Sequence, residues 1–433
     1  MELKQGDKLN LLNGETITVK SKLGEGGQGA VYLVSLSGKD YALKWYLPNY
    51  LKGLKPNYKK FYQNLLNNVS IGAPSPAFLW QQAVAVTGKK SEGFGYIMDL
   101  RPQQYEEFTK FIKAKVNFKS TEAVIRAGIK VVEAFQMLHR RGLSYQDLSP
   151  GNFFINKNNG DVLICDNDNV APNGENLGVG GTPGYMAPEV VLGTDKPNTN
   201  TDLFSLAVIL FELFFMSHPL DGANCCKYPC LTQQVEKDLY AINPVFVMDP
   251  KGSNPPVRGV HSNLIKLWPA YPDFLHEAFQ KAFGDGMKDA NKRLTERDWL
   301  KVLARLIVDS VPCPKCSELN FASKSQNGII TCDCGKKYPI TFAAKLNDFT
   351  IYASANKTIT DYHFSSGDMG KVIGTFVESK KNPGVFGLKN DSDIIWSVEY
   401  PGKPIMTYEP GKVVTMIPET VITIANKKIE ITK

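Results

Sequence analysis

Between Tyr41 and Ser91 the chain has no aspartate, glutamate or arginine, but seven lysines. Those lysines equal the formal charge of +7, so the rest of the chain balances to zero. Such a window fits an anion-attracting or partner-docking face, or simply a solvated lysine surface. Its aromatics (Tyr46, Tyr50, Tyr58, Phe61, Tyr62) do not by themselves point to nucleic acid. Long apolar runs are also missing. The longest, Leu203 to Met216, has 14 residues and contains Glu212, which suits a buried helix and excludes a membrane span. The opening MELKQGDKLN lacks the apolar core of a signal peptide, so a cytoplasmic location is expected. Arginine disappears after Arg305, marking a change of composition.

The eight cysteines fall into two groups. Cys165, Cys225, Cys226 and Cys230 lack metal-ligand spacing and read as free thiols of a reducing compartment. Cys313 and Cys316, then Cys332 and Cys334 fifteen residues on, have zinc-ribbon spacing, with the second pair one residue tighter than the common form. Four thiolates fill a tetrahedral zinc ion, so the expected role is structural. The alternative is a redox-sensing thiol pair.

Alternation in ITVKSKL, AVYLVSL and DYALKWY predicts strands over the first 98 residues, with a hairpin turn at Ser37-Gly38. A helical stretch is expected near Lys59 to Val69, closed by Pro74 and Pro76, and a last strand in Gly93 to Leu100. Helical spacing then dominates. One helix starts at Ser120 or Thr121 and stops at Gly142; others are expected at 202–216, 272–283 and 296–308. The Pro-, Asn- and Gly-rich segment 217–269 reads as an insertion with short elements. After Ser310, short alternating runs about every ten residues, with turns such as Asn382-Pro383-Gly384, predict a small all-β domain, barrel or sandwich.

Asp147 and Asn152 stand five residues apart in SYQDLSPGNFFI, and Asp166 follows fourteen residues later. A carboxylate, an amide and a second carboxylate suit phosphoryl transfer, one meeting the substrate hydroxyl and two holding metal on a triphosphate. Upstream lie GEGGQGAVY (Gly24 to Tyr32) and YALK ending at Lys44; downstream lies GTPGYMAPE (Gly181 to Glu189). Each motif alone is weak, but all four in this order make chance a poor account. Over roughly its first 310 residues the chain resembles a eukaryotic-like Ser/Thr protein kinase.

The resemblance implies a kinase-like N-lobe at 1–98 and C-lobe at 99–310; with the zinc ribbon at 311–340 that the cysteine spacing predicts and the all-β docking domain at 341–433 that the alternation predicts, the expected fold class is α+β. The resemblance also implies ATP binding by Gly24, Gly26 and Gly29 over the phosphates, Val31 and Ala42 over the adenine, and Lys44 on the α- and β-phosphates. Met98 would guard the back of the pocket, backbone at Asp99, Leu100 and Arg101 would meet the base edge, and Phe154 would form the floor. Asp147 would be the catalytic carboxylate, with Asn152 and Asp166 as ligands of Mg²⁺ or Mn²⁺. Glu189 would pair with Arg293, and Asp202 with the catalytic-loop backbone. The HRR at His139 to Arg141 belongs to a helix end, the loop proper beginning at Tyr145.

Four departures qualify the resemblance. The acid-free window has no partner of the usual helix-glutamate kind for Lys44, and Asn64 falls in that place. Lys44 is then expected to lean on Asp166 in the nucleotide-free protein. Gln146 replaces the arginine that normally contacts a phosphorylated activation loop, so activity without that phosphate is expected. Asp168 replaces a glycine after Asp166-Asn167; it would raise metal affinity, shift preference toward Mn²⁺ or face solvent. Ser149 replaces a lysine that neutralises the transferring phosphate. With Lys44, Asp147, Asn152 and Asp166 all present, an ATP-dependent Ser/Thr protein kinase is the expected function; the missing helix glutamate, Ser149 and Asp168 support the alternative of a nucleotide-binding pseudokinase scaffold. A small-molecule kinase is a third reading, opposed by the peptide-shelf motif GTPGYMAPE.

The C-terminal run from Gly384 faintly resembles half of a forkhead-associated sandwich, with an OB-like barrel as an equal alternative. The whole arrangement is similar to a group of bacterial kinases, some encoded beside a metal-dependent protein phosphatase and a von Willebrand A protein in tellurium-resistance-associated modules. That resemblance makes those two proteins candidate partners beside a protein substrate.

Overall fold

The computed structural model describes residues 2–55, 57–87, 93–178, 181–365, 367–382 and 384–433. The end of the lysine window (Lys89, Lys90, Ser91) and Pro383 of the expected turn lie outside the described residues. Two compact units emerge: residues 1–119, 123–270 and 274–300, and residues 120–122, 271–273 and 301–433.

The first unit begins with β1 (Lys8–Leu11), β2 (Thr16–Glu25), β3 (Gly29–Leu36), β4 (Lys39–Tyr46), β5 (Ala83–Val86) and β6 (Phe94–Met98). They close an antiparallel barrel in the order β1-β2-β3-β4-β6-β5. Ser37 (φ 49°) and Gly38 (φ 85°) make the expected tight turn between β3 and β4. Alternation along these strands buries Ile17, Val19, Tyr32, Val34, Leu43 and Trp45 on one core. Gly95 and Gly29 are demanded by close packing: a Cβ would lie 2.2 Å from the Lys44 carbonyl oxygen and 2.7 Å from that of Trp45, respectively. Two helices interrupt the strands, α1 (Pro48–Gly53) and α2 (Tyr58–Ile71). The first was not foreseen; Pro48 sits in its first turn, where a missing N–H costs nothing.

Beyond β6 lie the small strands β7 (Tyr105–Glu107), β8 (Leu143–Ser144), β9 (Phe153–Asn156), β10 (Val162–Ile164) and β11 (Ala171–Pro172). Helices dominate this part: α3 (Phe108–Ile112), α4 (Thr121–Arg140), α5 (Pro188–Leu192), α6 (Thr199–Phe215), α7 (Gln233–Lys237), α8 (Ser262–Leu267), α9 (Asp273–Phe283), α10 (Asp285–Lys288) and α11 (Glu296–Asp309). Gly142 (φ 70°) ends the α4 segment as expected. Asn198 caps α6 in a reciprocal box with Thr201, and every residue from Thr201 to Phe215 is buried. The segment 217–269 holds short elements, as expected, α7 and α8 among them, and its aromatics reach the core. Phe246 meets Phe211 at 5.5 Å and Trp268 meets Phe215 at 5.0 Å. No helix among the described residues is long and apolar enough to cross a membrane.

The second unit carries two hairpins, β12 (Ser310–Pro312) with β13 (Leu319–Phe321), and β14 (Ile329–Thr331) with β15 (Lys337–Pro339). Then follow β16 (Ala343–Leu346), β17 (Phe349–Tyr352), β18 (Thr358–Thr360), β19 (Val372–Glu378), β20 (Phe386–Asn390), β21 (Trp396–Glu399), β22 (Met406–Tyr408), β23 (Val413–Thr415), β24 (Val421–Ile424) and β25 (Lys427–Thr432). They form a six-stranded sheet, β17-β16-β25-β24-β21-β22, and a four-stranded sheet, β18-β19-β20-β23. Neither closes on itself, so the OB-like barrel alternative is corrected in favour of the sandwich. The sheets face each other through Trp396 of β21, whose buried ring lies 2.8 Å from where a Cβ on Gly374 of β19 would stand. Only glycine leaves room for that indole.

Candidate active site

Lys44 lies on β4 between Val31 of β3 and Tyr96 of β6. Its side chain is only 5% exposed, and its ammonium donates to Asp166 Oδ1 at 3.2 Å, as expected, and to Gln28 Oε1 at 2.8 Å. The nearer carboxylate is Asp168, whose Oδ1 and Oδ2 lie 3.1 and 3.0 Å away. Asp168 Oδ2 also accepts from the Tyr46 hydroxyl at 2.6 Å. Burial penalises the Lys44 ammonium, but Asp168 and then Asp166 outweigh it and raise its pKa above the usual lysine value. Of the three expectations for Asp168, facing solvent is excluded: its side chain is 0% exposed, against 45% for Asp166. Asn64 is buried on α2, but its amide donates to the Val170 carbonyl at 2.7 Å and is not among the partners of Lys44. Asn68, one turn on, donates to the same carbonyl at 2.9 Å.

Asp147, half-buried, accepts on Oδ1 from both the backbone N–H (3.0 Å) and the hydroxyl (2.9 Å) of Thr182. Burial raises its pKa, the Thr182 bonds oppose the rise, and the charges of Asp166 and Asp168 add to it. Asn152 is tied to the same loop, its Nδ2 donating to the Asp147 carbonyl (3.1 Å) and the Tyr145 hydroxyl (3.0 Å). Its Oδ1 accepts from the Ser149 hydroxyl at 2.7 Å. Asp202 holds the loop from below, accepting from Tyr145 N at 2.6 Å and Gln146 N at 3.2 Å. Gln146 (φ 72°) and Asp166 (φ 55°) both take left-handed backbone conformations, which are unusual for non-glycine residues and gather at functional sites. The Gln146 amide donates to the Glu175 carbonyl at 2.6 Å, a neutral bond where the resemblance led to expect an arginine.

Around Lys44, Ala42 of β4 pairs with Met98 of β6, and both are buried. Phe154 stands on β9 opposite Leu163, with the Arg101 guanidinium 4.2 Å from its ring centroid. A Cβ placed on Gly24 or Gly26 would meet nothing within 4 Å, in contrast to packed Gly29, so only the first two leave space beside the loop. Asp99 is exposed and pairs with Lys39 at 3.3 Å; Leu100 beside it is half-buried. Glu189 takes both terminal nitrogens of Arg293, at 2.7 and 2.8 Å.

Sequence reasoning missed Tyr46, Gln28 and His139. The signal for Tyr46 was present, since residues two apart on a strand share a face and Lys44 and Tyr46 are such a pair. His139 stands at a helix end as expected, but it also reaches Asp202.

In the second unit, Cys313, Cys316, Cys332 and Cys334 place their sulfurs within 4.8 Å of one another. Cys313–Cys334 and Cys316–Cys332 are 3.7 and 3.6 Å apart, far beyond a disulfide at about 2.05 Å. Zn–S bonds of about 2.3 Å in a tetrahedron put sulfurs about 3.8 Å apart, so the donor set fits zinc.

The model of the protein kinase domain family matches residues 17–267, more than half of the chain. The chain belongs to that family. It is similar to the cGMP-dependent protein kinase, isozyme 2 forms cD5/T2, of Drosophila melanogaster, 27% identical over 228 residues that make up 51% of this chain and 23% of that protein. Serine/threonine-protein kinase Nek11 of Macaca fascicularis is 26% identical over 276 residues, 58% of this chain and 40% of that protein. The chain thus spans well under half the length of these relatives. Among solved structures, the kinase domain of Mycobacterium tuberculosis PknI aligns with a TM-score of 0.48 at 19% identity, covering 70% of this chain and 98% of that one.

Proposed function

We propose that the protein is an ATP-dependent kinase that transfers the γ-phosphoryl group to Ser or Thr of a protein substrate, without needing a phosphate on its activation loop. The observation that carries this reading is the meeting of Lys44 with Asp166 across 122 residues of chain, beside an Asn152 tied to the Asp147 loop. In this reading Lys44 binds the α- and β-phosphates under Gly24, Gly26 and Gly29, and Asp147 orients the substrate hydroxyl and accepts its proton. Val31, Ala42, Met98 and Phe154 enclose the adenine, whose edge meets the backbone at Asp99 and Leu100. Asn152 and Asp166 offer hard oxygen donors, and Asp166 is exposed enough to reach a cation. A Mg²⁺ or Mn²⁺ ion held there supplies charge neutralisation on the phosphates. Gln146 ties down the segment at Glu175 with an uncharged amide, which supports independence from loop phosphorylation.

The chain in this reading is organised as an N-lobe (1–98), a C-lobe (99–310), a ribbon with structural zinc (311–340) and a docking sandwich (341–433). A cytoplasmic setting suits its free thiols. The phosphatase and von Willebrand A partners rest on the resemblance alone.

A nucleotide-binding scaffold is the second reading, favoured by Ser149, which engages Asn152 Oδ1 where the family resemblance places a lysine. Intact-mass analysis after incubation with ATP and Mg²⁺ or Mn²⁺, beside Asp166→Ala, separates the two. Phosphate added by wild type alone is expected. No phosphate on the protein or on a generic protein substrate, with either metal, would favour the scaffold.

A further inference from the structure

We propose that Asp168 is the positioning residue for Lys44, doing from inside the metal-binding segment what this chain has no helix carboxylate to do. The inference rests on the reading of Lys44 as the phosphate-binding lysine. Both oxygens of Asp168 are within 3.1 Å of the ammonium, and Tyr46 fixes one of them from the same face of β4. The α2 side offers only amides, and Asn64 and Asn68 are both engaged by the Val170 carbonyl. No acid exists between Tyr41 and Ser91 to take the task.

The competing role for Asp168 is metal ligation. Its burial argues against that, as does its bonding: a carboxylate offers about four lone-pair directions, and three contacts, two from Lys44 and one from Tyr46, already take three of them. Asp166, only one contact deep and 45% exposed, keeps oxygen available for a cation. The division of labour is therefore Asp166 toward metal and Asp168 toward lysine. One consequence is that the lysine's position follows the Asp166-Asn167-Asp168 segment and not the placement of α2. That segment is itself anchored, with the Asn167 amide donating to the Leu79 and Ile164 carbonyls at 2.8 and 3.0 Å.

The test compares wild type and Asp168→Asn in the full-length protein for binding of ATP, binding of adenosine, and the Mg²⁺ concentration that half-saturates ATP binding. Losing a charged hydrogen bond to Lys44 is expected to weaken ATP binding about 10- to 100-fold. Adenosine affinity should hold, because adenosine has no phosphate for Lys44 to bind, and the Mg²⁺ half-saturation should hold, because Asn152 and Asp166 offer the cation its oxygens. Equal loss of adenosine binding would reveal a merely structural role, and a loss cured by more Mg²⁺ would make Asp168 a metal ligand; either overturns the proposal, as does unchanged ATP affinity. Should Asp168→Asn not fold, Tyr46→Phe carries the test, with ATP affinity expected to fall several-fold and unchanged affinity overturning the assignment. A wild type that binds adenosine but not ATP would overturn the phosphate-binding reading of Lys44 itself, a failure distinct from that of Asp168.

Discussion

His139 Nε2 lies 3.1 Å from Asp202 Oδ2, and its Nδ1 meets Glu296 on the other side. The same Asp202 oxygen accepts from the backbone N–H of Tyr145, so the end of α4, the start of α11 and the loop that carries Asp147 share one largely buried charge cluster. Burial alone would lower the imidazole pKa, but the bonds to Asp202 and Glu296 outweigh it and raise it from 6.5 to about 9.

A pH dependence follows. A histidine whose folded pKa is raised contributes stability that is complete below its unfolded value near 6.5 and is lost as pH climbs through about 9. The contribution is up to about 3 kcal/mol. Thermal unfolding of His139→Gln should show a lower Tm than wild type at pH 6, with the gap narrowing by pH 9.5. A gap that does not change with pH would remove the charge from this account.

Arg293 is buried, bidentate on Glu189, and also donates to the Asn200 and Gly286 carbonyls. Removing one side of a buried, multiply bonded pair leaves the other unpaired and costs about 3–5 kcal/mol. Arg293→Met should lose that much in urea unfolding. Arg293→Lys should recover only part, since an ammonium cannot reproduce the planar fork.

Thr182 donates twice to Asp147, and Gln146 offers no charge to a phosphate. Phosphatase treatment should therefore leave kinase activity unchanged, whereas Thr182→Ala should lower it about 10-fold by removing the hydroxyl bond that orients the carboxylate. Activity lost to phosphatase and mapped to Thr182 would contradict this.

The architecture was legible where local chemistry decides it. Alternation located β2 to β4, Ser37-Gly38 marked the hairpin, and the long apolar run of α6 read as buried. The motif residues Lys44, Asp147, Asn152 and Asp166 were visible because short spacings carry them. What stayed hidden depended on partners far along the chain. Nothing near Asp168 tells that it lies against a lysine 124 residues earlier, and excluding a solvent-facing role needed its burial. His139 looked like an ordinary helix end because Asp202 and Glu296 come 63 and 157 residues later. The core contacts of segment 217–269 stayed hidden because its composition is that of a loop, while a few aromatics, Phe246 and Trp268 among them, fasten it to the core.

The cysteine cluster offers a test that does not depend on catalysis. Around it only a small group is buried, including Val311, Ala322, Ile330 and Tyr338. So few apolar side chains cannot hold two short hairpins by themselves, whereas a structural zinc ion supplies on the order of 10–16 kcal/mol to such a site. Purified protein should contain one zinc per chain by elemental analysis. Strong chelation or Cys332→Ser should unfold these hairpins, seen as a protease-sensitive site between β12 and β15. ATP should still raise the Tm, as expected of the intact protein, because Lys44 and Asp166 belong to the other unit. Protein that lacks zinc yet resists protease there would leave the four thiols as a redox pair set, and oxidation should then shorten the Cys313–Cys334 and Cys316–Cys332 separations to disulfides detectable by mass.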